Sequence, residues 1–220
     1  MPPSAPIVLP RALIFLASIW LIGSWLLAIG LLPPLQPSSS SYAHGLRMML
    51  LCLTTGVMIG WPLLRLSQAT TAAPMRQTLL DLLVLASMIQ VIVWPLRLVT
   101  TWSVLRTAAI DATLVGWSAL AGASVASAIG TTRAGPRNVA MVGCLAMCLL
   151  GPALAYVSAL SGRDAPALLM MSPVLSIRAL ADGGGPLRGE PWVWIGVLYA
   201  ATAAAWGALV AYTAMRRPID

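Results

Sequence analysis

The chain has 220 residues, 59% of them hydrophobic and 9% charged, against about 25% charged in an average soluble domain. Its apolar residues fall in repeated runs of membrane length, which predicts a polytopic membrane protein. All 13 basic residues are Arg; without Lys there is no G-x-x-x-x-G-K-[ST] phosphate loop. The net charge of +7 is spread singly between apolar runs, a pattern of topology determinants and headgroup contacts rather than of a nucleic-acid face. Membrane lipid is therefore an expected partner and nucleic acid is not.

The runs are continuous and lack the period-two alternation of barrel strands. Backbone polar groups in hydrocarbon must pair internally, so an all-α fold is predicted. Arg11 precedes a first apolar run, 12–32. That run exceeds a signal-peptide core of about 7–15 residues and no small-x-small cleavage site follows, so a retained helix is predicted. Pro33-Pro34 ends it, and a polar loop containing His44 follows.

A second helix is predicted over 46–66, closing in Trp61-Pro62-Leu63-Leu64-Arg65. Trp and Arg at such an end suit the headgroup layer, with the ring half buried and the guanidinium turned outward. A polar linker at 67–74 leads to a third helix, 79–99, ending in Trp94-Pro95-Leu96-Arg97. The echo between the two endings is read as convergence on the interface. Further helices are predicted over 104–129, 139–160 and 192–215. Before the last, Ser172 followed by Pro173 reads as a helix start. The segment Val174 to Ala181 is too short to span and is expected to lie on the membrane or dip into it. Six spans place both termini on one side, and seven Arg against six favour a cytoplasmic location for them, in the cell's inner (plasma) membrane.

Several polar groups need a reason to be in or near hydrocarbon. Thr78-Leu79-Leu80-Asp81 fits the [ST]-x-x-[DE] capping box, which makes Asp81 a helix cap in the headgroup region. Asp111, about two turns into the fourth helix, is expected to pair with Arg97 across the hairpin or with Arg106 on its own helix, in an intramembrane charge cluster. Cys144 and Cys148 share a helix face near Met141 and Met147. That is a spacing open to Cu(I), although small apolar packing is the expected role. His44 is the only histidine, so neither a histidine base nor an H-E-x-x-H zinc site is available. The expectation is no catalytic residue, no metal, no cofactor and no enzymatic activity. Gly196, Ala200, Ala204 and Ala208, and likewise Gly122, Ala126 and Gly130, form small-residue stripes that favour a tight bundle or a homo- or hetero-oligomer.

The layout, and three short patches, resemble the membrane subunits of the type-two ABC exporter permeases. The patches are Arg76-Gln77-Thr78-Leu79-Leu80-Asp81-Leu82-Leu83, the basic turn from Gly130 to Asn138, and Ser172-Pro173-Val174-Leu175. The resemblance implies six helices, cytoplasmic termini and an external segment that partly re-enters the membrane. It implies that Arg76, Thr78 and Asp81 belong to an element docking a separate ATPase, and that a hydrophobic or amphipathic substrate is exported. The competing expectation is a structural or assembly subunit with no transport path. A proton or metal pathway through Asp111 or through Cys144 and Cys148 is a weaker third.

Overall fold

The computed structural model describes residues 10–31, 39–161, 171–182, 187 and 189–215. Among them are six helices long and apolar enough to cross a membrane, and no strand. The protein is an all-helical, multi-pass membrane protein. The Pro33-Pro34 stop, Gly183 to Gly185 and the tail after Met215 lie outside the described residues.

The first span is α1 (Arg11–Trp25), which runs on through a π-helical segment, Leu26–Gly30. The second is one continuous helix in three parts. They are α2 (Ser39–Thr55), a π-helical segment Gly56–Gly60, and α3 (Trp61–Ser67). The third is α4 (Pro74–Leu96), ending in a 3-10 turn at Arg97–Val99. Then come α5 (Val104–Ala128), α6 (Ala134–Leu160), the short α7 (Pro173–Ala181) and α8 (Glu190–Met215).

Three helix starts differ from the sequence reading. The second span begins at 39 rather than 46, so His44 lies on a helix, exposed, and not in a loop. The third begins at Pro74 rather than 79. Proline fits the first helical turn, where its missing N–H has no intrahelical acceptor anyway. The fifth begins at Ala134 rather than 139 and takes Gly135 and Pro136 into its first turn.

The centre of the bundle is α5, which packs against α4, α6, α7 and α8. Its residues are the small and weakly polar ones that such enclosure permits. Ala109, Ala121 and Val125 are fully buried, and the Thr113 and Ser118 hydroxyls donate to the carbonyls of Ala109 and Leu114 one turn back. Gly122 lets Leu82 of α4 approach so closely that a Cβ there would stand 2.8 Å from its Cδ1; Gly116 does the same for Leu198 of α8. Spans at the rim show the reverse composition. Phe15, Ile22 and Leu27 of the first span, and Val139, Leu149 and Leu160 of α6, are exposed, as lipid-facing positions are where tails are as apolar as the side chains.

Of the two small-residue stripes, only one is used inside the chain. Gly122 and Gly130 receive Leu82 and Pro74. On α8 the stripe of Gly196, Ala200, Ala204 and Ala208 faces outward, and α8 meets α5 through Ile195, Leu198, Thr202 and Trp206 instead.

The short helix α7 is inserted into the bundle, against α2, α5 and α6. Its Ser172 N-cap is fully buried, and its hydroxyl reaches the carbonyl of Cys148 on α6 at 3.4 Å. Cys148 is twelve residues before the end of α6 at Leu160, about 18 Å along the axis, so α7 starts deep in the hydrocarbon. It ends at Ala181 with Arg106 Nη1 donating to the Leu180 carbonyl at 2.6 Å. A basic group at that terminus satisfies a free carbonyl and opposes the helix dipole. The segment expected to dip into the membrane is thus a half-depth helix that α5 and α6 hold at its two ends.

Candidate functional site

The end of the bundle that carries Arg11 and Met215, here the terminal end, is built around Asp81. Helix α4 starts seven residues earlier, at Pro74, with Ala73 as its N-cap. Asp81 therefore lies about 10 Å along the helix and caps nothing, which overturns the capping-box reading. The carboxylate is fully buried. Arg65 of α3 holds both its oxygens through Nε and Nη2. Trp61 Nε1 donates to Oδ2 at 3.2 Å and Gln77 Nε2 to Oδ1 at 3.3 Å. Arg65 Nη1 donates onward to Gln68 Oε1 at 2.6 Å. Two-point contact between a guanidinium and a carboxylate is the strongest form of this pair.

Trp61 and Arg65 are consequently not headgroup anchors. They stand at i and i+4, one above the other on a helix face, and that face turns inward to Asp81. Thr78, also fully buried, donates its hydroxyl to the Pro74 carbonyl at 2.9 Å. Of the three residues assigned to docking, only Arg76 is exposed.

A second arginine binds the connections together at the same end. Arg137, in the second turn of α6, donates from Nη1 to the carbonyls of Leu66 and Gln68 at 3.0 and 2.9 Å, and from Nε to the Thr131 carbonyl at 3.0 Å. It thus closes the open carbonyl end of α3. The Thr71 amide donates to the Ile129 carbonyl at 3.4 Å, and Pro74 lies against Gly130. The link after α3 and the turn after α5 form one joined surface, with Arg76 and Arg133 exposed on it.

The other echo of the motif makes the same contact at the opposite end. Trp94 of α4 donates from Nε1 to Asp111 Oδ2 at 3.2 Å. Asp111 is the eighth residue of α5, as Asp81 is of α4. The arginine is what differs. Arg65 stands four residues after Trp61 and within α3, whereas Arg97 stands three after Trp94 and beyond the end of α4, on the 3-10 turn, and is exposed. Arg106 is occupied at the end of α7, on a different face of α5. The ion pairs among the described residues are Arg65–Asp81, Arg47–Asp182 and Arg178–Asp182. The predicted cluster of Asp111, Arg97 and Arg106 does not assemble, and Asp111 Oδ1 is buried without a hydrogen-bond partner among the described residues.

A carboxylate that relies on an indole N–H and no cation tolerates loss of its charge. Asp111→Asn keeps an oxygen for Trp94, and thermal unfolding in detergent is expected to place it within about 1 kcal/mol of the wild type, the scale of one net hydrogen bond. A loss of several kcal/mol there would reveal an ionic partner for Asp111.

Cys144 and Cys148 are both buried in the core between α6 and its neighbours, with Met141 and Met147 partly buried against the same core. Their surroundings are those of apolar packing residues.

The sequence reading assigned Trp61, Arg65 and Trp94 to the membrane interface and Arg137 to a basic turn, and gave none of them a partner inside the bundle. The first two carried a readable signal, an i, i+4 Trp–Arg pair at the same end of the bundle as a carboxylate on the next span. For Arg137 no such signal exists, because its acceptors are main-chain carbonyls. No protein-family model matches the chain, and no similar protein was found among curated sequences or solved structures.

Proposed function

We propose that the chain is a permease-like membrane subunit that acts with a separate ATPase to export a hydrophobic or amphipathic substrate. The observation that carries this reading is α7, a short helix inserted part-way into a six-span bundle just before the last span. A broken element at membrane depth is tolerated where it is buried in protein or lines a pathway. The terminal end adds support. Its two connections are fused by Arg137 and by the Thr71–Ile129 bond into one surface bearing Arg76 and Arg133, a form suited to receiving a soluble partner. On this reading that end faces the cytoplasm, in agreement with the arginine margin, and the outward small-residue stripe of α8 packs against another subunit.

Docking then runs through Arg76 and Arg133, since Thr78 and Asp81 are consumed inside the bundle. Purification in a mild detergent is expected to recover an ATPase subunit with the wild-type chain. The double variant Arg76→Glu with Arg133→Glu is expected to reduce that recovery at least several-fold while leaving the yield of the membrane chain unchanged. Recovery of the wild type free of any ATPase, under conditions that preserve such complexes, would sink the reading. It would favour the structural-subunit alternative, which the complete internal neutralisation of Asp81 by Arg65 also fits.

A further inference from the structure

A cavity of about 400 Å³ opens between the first three spans. Its walls are Leu13 to Leu21 of α1, Leu53 to Leu64 of the second span, and Leu85, Met88 and Ile89 of α4. The first span touches the second closely at two places. The Gly45 backbone lies under the Ala28 carbonyl, where a Cβ would stand 2.3 Å from the oxygen, and Trp20 lies over Gly56, with 2.5 Å from its Nε1 to such a Cβ. Toward the terminal end the helices part, and Gly60 leaves the gap open: a Cβ there would meet nothing within 4 Å.

The chemistry of the wall selects the occupant. Among the described residues, three side chains bring polar atoms to it, Trp20, Thr55 and Trp61, and each is already engaged by the protein. Trp20 Nε1 donates to the Cys52 carbonyl at 2.9 Å. The Thr55 hydroxyl donates to the carbonyls of Leu51 and Cys52, both at 3.0 Å. Trp61 Nε1 is on Asp81. Water needs about 2–4 polar partners to occupy a site and meets too few here, the acceptor capacity left on the Thr55 hydroxyl oxygen, and a void left empty would forfeit the dispersion contacts of its lining. The volume falls within the range of about 300–1,000 Å³ typical of ligand sites. The cavity lies in the half of the membrane toward the terminal end, and Arg11, exposed, stands two residues before Leu13 of its wall.

We infer that this cavity holds the acyl chain of an anionic phospholipid from the leaflet on the terminal side, with Arg11 at its headgroup. The chain supplies the apolar contacts that the protein lacks between α1 and α4, and the lipid serves as a wedge that seats the first span. The inference is independent of transport and of any ATPase.

The test uses the full chain reconstituted in vesicles of equal phosphatidylglycerol and phosphatidylcholine, extracted in mild detergent and weighed intact by native mass spectrometry. Wild type is expected to retain one lipid per chain, with phosphatidylglycerol in several-fold excess. Gly60→Leu enters the cavity from a position where a Cβ meets nothing within 4 Å and improves helix propensity; it is expected to lose at least four-fifths of that lipid. Gly143→Leu, also placed where a Cβ meets nothing but on α6, is expected to retain it. Arg11→Gln is expected to keep a lipid while losing the preference for phosphatidylglycerol. Wild type that carries no lipid, or Gly60→Leu that carries as much as wild type, overturns the proposal. A change in oligomeric state in Gly60→Leu with lipid unaltered also overturns it and assigns the cavity to contact between copies of the chain.

Discussion

Asp81→Asn is expected to destabilise the bundle by about 3–5 kcal/mol, the range for breaking a buried ion pair by removing one partner. The asparagine, with one oxygen, would keep an acceptor for Trp61 or for Gln77 but not for both, and it would leave the Arg65 guanidinium charged, with 15% of its side chain exposed and no counter-ion. The loss thus resides mainly in the orphaned arginine. Two further variants separate that term from lost packing. Arg65→Met alone should cost a similar amount, because it strands the carboxylate. Arg65→Met combined with Asp81→Leu should recover most of the stability, since a hydrophobic replacement of both partners removes the desolvation penalty together with the attraction. Equilibrium unfolding in mixed micelles reads all of these, with Asp81→Leu alone completing the cycle. Strict additivity of the Arg65→Met and Asp81→Leu losses in the double variant would show that the two residues do not act as a pair.

The second large effect is expected at Gly151. A Cβ there would stand 2.3 Å from the Ser172 Cβ and 3.0 Å from its Oγ. The Cβ is fixed to the backbone at the N-cap of α7 and has no rotamer to escape into. Gly151→Ala therefore has to move the start of α7, and Gly151→Val has to move it further, at about 1–3 kcal/mol for overpacking. The displacement would also break the Ser172 contact with the Cys148 carbonyl. Hydrogen–deuterium exchange is expected to rise at least several-fold through 173–181 in Gly151→Ala and to rise further in Gly151→Val. Gly135→Ala, where the added Cβ meets nothing, serves as the unaffected comparison. Unchanged exchange in α7 would mean that the helix is not seated on Gly151.

The architecture was legible because the bilayer leaves few choices. Apolar runs of membrane length with no alternation force helices, and Ser172-Pro173 ahead of a run too short to span marks α7. What the sequence misjudged was the destination of polar side chains. The capping box at Thr78 to Asp81 is a local rule, and it was outweighed by a cation on another span that no local rule counts. The Asp111 pairing failed for a related reason. Proximity along the chain and at one membrane face does not say which helix face a residue occupies, and Arg106 and Asp111 look toward different neighbours, α7 and α4. The helix starts at Pro74 and Ala134 were missed because proline near the start of a helix resembles proline in a turn.

The π-helical segment Gly56–Gly60 accounts for the burial of Leu66 at the foot of α3. On an ideal wheel of about 100° per residue, Leu66 falls about 160° from Leu50, on opposite sides of the cylinder, yet both are buried. A π turn takes in one residue beyond the α-helical count. Removing that residue from the tally brings the two to within about 60° of each other. No single wheel describes this span: its middle slips by one residue, and that slip keeps Leu66, at the foot of α3, on the core side of the cylinder instead of toward lipid.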